Sequence, residues 1–269
     1  MTESHTLAHY ETGSSRPDIE RALVAAGKDL GQLRMADLAM LEDFHTGGRI
    51  ATGQLADLLD IGPDSTVLDA GSGIGGTGRF IAERFGCRVS AIDLTDSYCD
   101  TARWLNGLVG LDDRITVREG DVTELPFADS SFDFVFSQHV QMNVADKGLL
   151  YREARRVSRV DGRLAIWDIF SGQGGEPDFP QPWADQPRDS YLETPAAVRA
   201  AIEASGFAVD HWVDLTEQAV ATMRMVQALP LNPLGLHAFV PDFGTRIENL
   251  INALADGRVR AVRAIARAV

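Results

Sequence analysis

A chain of 269 residues with 45% hydrophobic and 24% charged side chains has the length and composition of one large globular domain with a sizeable core. It has no apolar run of membrane-span length, and its start (Met1-Thr2-Glu3-Ser4-His5) has no basic-then-apolar signal, so a cytoplasmic protein without a membrane partner is expected. The net charge of −14 opposes a nucleic-acid partner by repelling phosphate, and two cysteines, Cys87 and Cys99, are too few for a disulfide framework.

Residues 1–18 are polar, with a Gly13-Ser14-Ser15 cluster, and read as a loosely held arm. His5 and His9 have helical spacing but no third ligand, so a solvated segment is expected there and no metal site. From Ile19 to Glu42 the pattern is helical, broken near Gly27 or Gly31, with Leu30, Leu33, Leu38 and Leu41 on an inner face. Asp43-Phe44-His45-Thr46-Gly47-Gly48-Arg49 is either a hinge that closes over a ligand or a plain linker.

Short apolar runs and helical segments then alternate strictly. Helices are predicted over 51–59, from the glycines after strand one to Phe85, and over 97–109 and 147–158. Strands are predicted ending at Val67-Leu68 and over 88–92, 115–119, 132–137 and 163–170. This is the signature of a doubly wound, parallel α/β sheet. The Gly-, Pro- and Asp-rich stretch from Ser171 to Ser190 is too long for a plain connection and carries Trp183. A helix over 194–205, a strand over 207–215, helices over 217–229 and 242–255, and a closing strand over 258–269 complete the chain.

In such a sheet, ligands bind beyond the carboxyl ends of the strands, where strand order reverses. Those ends here carry Asp69, Asp93, Asp121, Gln138 and Asp168. Gly71, Gly73 and Gly76 follow strand one, where a backbone turns sharply against a ligand. Asp69, just before them, would repel a pyrophosphate but hold an ammonium. Asp93 sits at the offset where a carboxylate takes both ribose hydroxyls, and Asp121 offers a third acceptor for an adenine amine. A nicotinamide oxidoreductase is the competing reading, and it has no use for that third acid.

Val67-Leu68-Asp69-Ala70-Gly71-Ser72-Gly73 resembles motif I of the class I S-adenosylmethionine (SAM)-dependent methyltransferases. Ala91-Ile92-Asp93-Leu94, Glu119-Gly120-Asp121-Val122 and Phe132-Asp133-Phe134-Val135-Phe136-Ser137 resemble the next three motifs, so the match runs from about His45 to Leu215. Before strand five, Val160 and Asp161 stand where the family usually has proline and glycine, a departure in a turn and not in the site.

The resemblance implies a Rossmann-like, mostly parallel seven-stranded sheet whose last strand is antiparallel beside strand five. It divides the chain into a helical N-terminal arm or lid (1–49), a SAM-binding core (50–215), and a lid insertion with the closing strand (216–269). It implies SAM as cofactor and S-adenosylhomocysteine (SAH) as product. Cofactor contacts would come from Asp69, Gly71, Ser72, Gly73, Asp93, Leu94, Asp121, Val122 and Gln138. His139, after strand four, is the candidate general base or acceptor orienter, and His45, Asn143 and Trp183 are candidate acceptor contacts. The implied reaction is methyl transfer to oxygen or nitrogen of a small organic acceptor, with a homodimer left open. A fold member that binds SAM without transfer, as a cyclase or a binding protein, is the remaining alternative.

Overall fold

The computed structural model describes residues 9–10, 15–41, 44–230 and 232–269. His5, most of the polar arm and Glu42-Asp43 at the start of the hinge lie outside the described residues. The elements in chain order are α1 (Ser15–Ala25), α2 (Met35–Leu38), α3 (Gly48–Ala56), β1 (Thr66–Ala70), α4 (Gly76–Phe85), β2 (Arg88–Asp93), α5 (Asp96–Leu108), β3 (Ile115–Glu119) and β4 (Phe132–Gln138). They continue with α6 (Lys147–Val157), β5 (Ser158–Ser171), α7 (Pro195–Ala204), β6 (Phe207–Asp214), α8 (Thr216–Gln227), α9 (Phe243–Ala255) and β7 (Val259–Ala268).

One seven-stranded sheet has the order β3-β2-β1-β4-β5-β7-β6. The first five strands are parallel, and β7 runs antiparallel between β5 and β6. The order reverses between β1 and β4, which puts a crevice beyond their carboxyl ends.

Successive strand residues face opposite layers, and the sequence supplies apolar side chains to both. Val67, Val89 and Phe136 pack on Leu55 of α3, Ile81 of α4 and Ala102 of α5. Leu68, Ile92 and Val135 pack on Leu150 of α6 and, farther along, Ile202 of α7. Each such fully buried Leu or Ile is worth about 1.5–3 kcal/mol. Burial on both faces is why these strands read as continuous apolar runs.

Two further clusters lie above the carboxyl edge. Ile19, Leu23, Leu38 and Leu41 from the N-terminal segment pack with Leu234, Phe239 and Val240 on Ile74, Tyr98 and Leu105. Trp183, Met142 and Ile169 pack with Met223 of α8 and Leu250 of α9. No helix among the described residues is long and apolar enough to cross a membrane.

The junction of α6 and β5 differs from the sequence expectation. The helix expected through Ser158 ends at Val157, and β5 starts at Ser158, five residues early. The expected turn is instead an irregularity within β5, where pairing jumps from Phe132–Ser158 to Phe134–Arg163. Asp161, where the family has glycine, takes a left-handed φ of 60° there.

Candidate active site

The glycine turn is set by close approach. Gly71 has φ 78°, and a Cβ there would sit 2.4 Å from Val140 Cγ2. Its N–H and that of Ser72 both donate to Ile92 O, which ties the turn to β2. The turn borders a cavity of about 370 Å³ at the carboxyl edge of the sheet.

Of the sequence-predicted cofactor residues, all nine line this cavity. Asp69 Oδ2 accepts from Gly78 N–H of α4 at 2.9 Å, and burial pushes its pKa up to about 7 against that bond. Asp93 Oδ2 accepts from Gly73 N–H (2.7 Å) and Oδ1 from Thr95 N–H (3.0 Å), with burial raising its pKa. The Thr95 side chain and Leu94 N–H also bear on this carboxylate and hold it in place. Asp121 Oδ1 accepts from Thr123 N–H at 2.7 Å, capping the turn after β3. Leu94 and Val122 supply apolar wall beside these acids.

Gln138 Nε2 donates to Thr77 Oγ1 (2.6 Å) and Thr52 Oγ1 (3.2 Å), with His45 Nε2 3.3 Å away. Its Oε1 and the hydroxyl of Ser72 are buried without a hydrogen-bond partner among the described residues. Both belong to residues of the cavity wall. Orphaned polar atoms of this kind cost free energy unless a ligand meets them.

His139 follows β4 with a left-handed φ of 55°, fixed by its N–H on Trp167 O (2.8 Å). Its Nε2 accepts from Thr46 N–H at 3.3 Å, with the Thr46 hydroxyl 3.1 Å away. An amide N–H can only donate, so the neutral ring carries its proton on Nδ1. Burial and neighbouring His45 hold its pKa well below the usual value. Burial likewise lowers His45 to about 4. The Nε2 lone pair is therefore engaged, and what His139 retains for a ligand is a donor.

Thr46 is itself pinned by Trp167 Nε1, which donates to its carbonyl (2.8 Å) and hydroxyl (2.9 Å). The candidate hinge is thus itself bound, through Thr46, to the ends of β4 and β5. Asp168 shapes the adjacent loop by accepting from Val140, Gln141 and Ile169 N–H groups, and burial raises its pKa to about 7.

Of the acceptor candidates, His45 and Asn143 line the cavity. Trp183 does not. It is 2% exposed, donates from Nε1 to Ser190 Oγ (2.8 Å) and packs in the cluster under α8 and α9. An aromatic residue in a Pro-rich loop looked like pocket wall, but the loop folds back and uses it as core.

The sequence reading missed Tyr10, Phe44 and Tyr98, which line the cavity together with Phe239. Tyr10 accepts from Asn143 Nδ2 at 3.2 Å, and burial raises its pKa. Beside it, His9 is buried rather than solvated, 3.1 Å from Pro182 O and 3.3 Å from Asp185. No local pattern marks two residues of a polar arm for this role. Thr77 carries a weak signal, since it lies in the first turn after the glycines.

A family model described as a methyltransferase domain matches residues 68–166. Sarcosine/dimethylglycine N-methyltransferase of Halorhodospira halochloris is 32% identical over 158 residues, 59% of this chain and 57% of that protein, so the chain spans little more than half of that relative. Dimethylglycine N-methyltransferase of Parasynechococcus marenigrum (strain WH8102) is 32% identical over 192 residues, 66% of this chain and 69% of that protein. The solved structure of geranyl diphosphate C-methyltransferase from Streptomyces coelicolor A3(2), with Mg2+, geranyl diphosphate and SAH, matches with a TM-score of 0.73 at 19% identity, covering 100% of this chain and 98% of that one. That likeness is one of fold. With its motifs at the strand ends, its sheet order and this coverage by a relative, the chain belongs to the class I SAM-dependent methyltransferase family.

Proposed function

We propose that the chain is an enzyme transferring a methyl group from SAM to the oxygen or nitrogen of a small organic acceptor. One observation carries the reading: carboxylates from three neighbouring strands line a single cavity that also contains orphaned buried acceptors. The residues fit the cofactor. Asp69 would face its ammonium, and Asp93, held by Gly73 and Thr95, its two ribose hydroxyls. The free oxygen of Asp121 would take the adenine amine, with Leu94 and Val122 against the ring. Gly71, Gly73, Ser72 and Gln138 would surround the methionyl end.

When bound, SAM supplies a methyl carbon already activated by a sulfonium. The chain's own work is to align the acceptor and exclude water. His139 serves as a donor that orients the acceptor, because its lone pair is engaged by Thr46. The site therefore suits acceptors whose reacting atom already holds a free lone pair. Residues 1–49 and the segment between Thr216 and Gly257 would act together as the lid.

The engaged lone pair also gives footing to a second reading, a protein that holds SAM without transferring its methyl. Melting shifts with SAM, SAH and NADH measured separately, followed by a labelled-methyl assay over phenols and amines, test both. Shifts with SAM and SAH and label in at least one acceptor are expected. A shift with no label anywhere favours the second reading, and stabilisation by NADH alone overturns both.

A further inference from the structure

The cavity has an uneven charge. Its wall carries Asp69, Asp93, Asp121 and Asp146 and, among the described residues, no lysine or arginine. The residues outside the description contain neither residue type in sequence. Exposed Arg152 lies near Asp146 at the rim, but two other nearby cations are committed elsewhere. Arg79 donates to Asn106 Oδ1 (2.9 Å) and Ile74 O (2.6 Å), and Lys147 donates to Tyr191 O (2.6 Å) and Val144 O. The wall also carries the aromatic residues Tyr10, Phe44, Tyr98 and Phe239.

Bound SAM does not reverse this sign. Its ammonium, sulfonium and carboxylate sum to one positive charge, so the site stays negative even with one of the four acids protonated. In a site of low dielectric such a field acts strongly on a ligand. A bridging divalent cation lacks a ligand set too, since no three His, Cys, Asp or Glu of the described residues converge to hold one.

Resting on the transferase reading above, we infer that the acceptor carries neither phosphate nor carboxylate: it is uncharged, or an amine, with an apolar body. The cavity thus differs in substrate class from three of its relatives, because geranyl diphosphate, phosphoethanolamine and dimethylglycine all bear an anionic group, and it sides with the relative named for tocopherol.

The test uses the full chain saturated with SAH in buffer containing Mg2+, with melting read on adding each of those three compounds. None is expected to add a shift up to about millimolar concentration, and none is expected to take labelled methyl from SAM. A saturable added shift, or label, with any of the three overturns the inference. Leu149→Arg places a cation on the rim, where Leu149 is 40% exposed and the fold has room for it. That variant should keep the SAH shift and bind geranyl diphosphate at least about tenfold tighter than the parent chain. No gain would mean that the field is not what refuses anions, which also overturns the inference. An absent SAH shift in the parent chain would instead sink the transferase reading itself.

Discussion

The two ends of the sheet are both lined with aspartates, and they use them oppositely. At the amino ends of β4 and β5 a groove of about 570 Å³ is larger than the cavity at the carboxyl ends. There Asp133 meets Arg159 at 2.6 Å, Asp161 meets Arg267 at 3.2 Å, and Asp210 pairs with Arg163. These three carboxylates each have a guanidinium, which closes most of the face electrostatically. At the carboxyl ends Asp69, Asp93 and Asp121 are met by backbone N–H groups, which leave net negative charge for a ligand. Volume does not distinguish a site from a surface groove here; unanswered charge does.

The comparison breaks most visibly at Asp93. Asp93→Ala should weaken SAH binding by about a hundredfold or more, because two charge-assisted hydrogen bonds are each worth about 1.5–3 kcal/mol. Titration calorimetry measures it, and a loss below threefold would remove Asp93 from the site. Asp133→Ala is its counterpart at the other end. Asp133 accepts from Thr66 N–H (2.8 Å) and Thr66 Oγ1 (2.7 Å) as well as Arg159, and these bonds outweigh burial and hold its carboxyl below the ordinary range. Its stabilisation is present above the unfolded pKa and is lost as pH falls through the folded one. The variant should lose about 2 kcal/mol in urea unfolding near neutral pH with SAH affinity unchanged. A fall in affinity equal to that of Asp93→Ala would erase the distinction between the ends.

His139→Ala comes next, with kcat down about tenfold and SAH affinity nearly constant, the cost of one orienting donor. His139→Asn, which restores a donor, should recover part of the rate in the labelled-methyl assay. Equal turnover in all three proteins would show that His139 does not orient the acceptor.

The cofactor half of the cavity was legible because its signals are local. Asp69 and Asp93 end apolar runs, and Gly71 and Gly73 mark a turn by composition alone. The acceptor half was not, because distant segments assemble it. Tyr10 and Phe239 reach the cavity only through packing of the arm and residues 234–240 on Ile74 and Tyr98, a contact that no window of sequence contains. Trp183 shows the converse: aromatic character in a long loop does not say whether the loop opens over a pocket or folds into core. The start of β5 was hidden because Asp161 takes the left-handed backbone that the family gives to glycine, so the strand continues through what reads as a turn. His139 was found, but its hydrogen-bonding role depends on Thr46, a neighbour 93 residues away.

The smallest expected effect probes how the two ends handle protons. At the amino end, bonds from Thr66 and Arg159 keep Asp133 ionised through neutral pH. Asp69, where burial outweighs the Gly78 bond and the charge of Arg79, titrates at about 7 in the ligand-free chain. If an ammonium docks against it, binding favours the charged form and must lower that pKa. By linkage, affinity for SAM then rises as pH increases through about 7 and levels off above it. From pH 6 to pH 8 the gain should approach about tenfold, since roughly one tenth of Asp69 is ionised at the start and roughly nine tenths at the end. Asp69→Asn cannot ionise, so its affinity should be lower at pH 8 and flat across the same range. Measuring SAM binding at four pH values in both proteins separates this from any titration of the ligand, which the two proteins share. An equal slope in the variant would show that the charge of Asp69 is structural, spent entirely on Gly78, and would make the carboxyl end as closed at that position as the amino end is at Asp133.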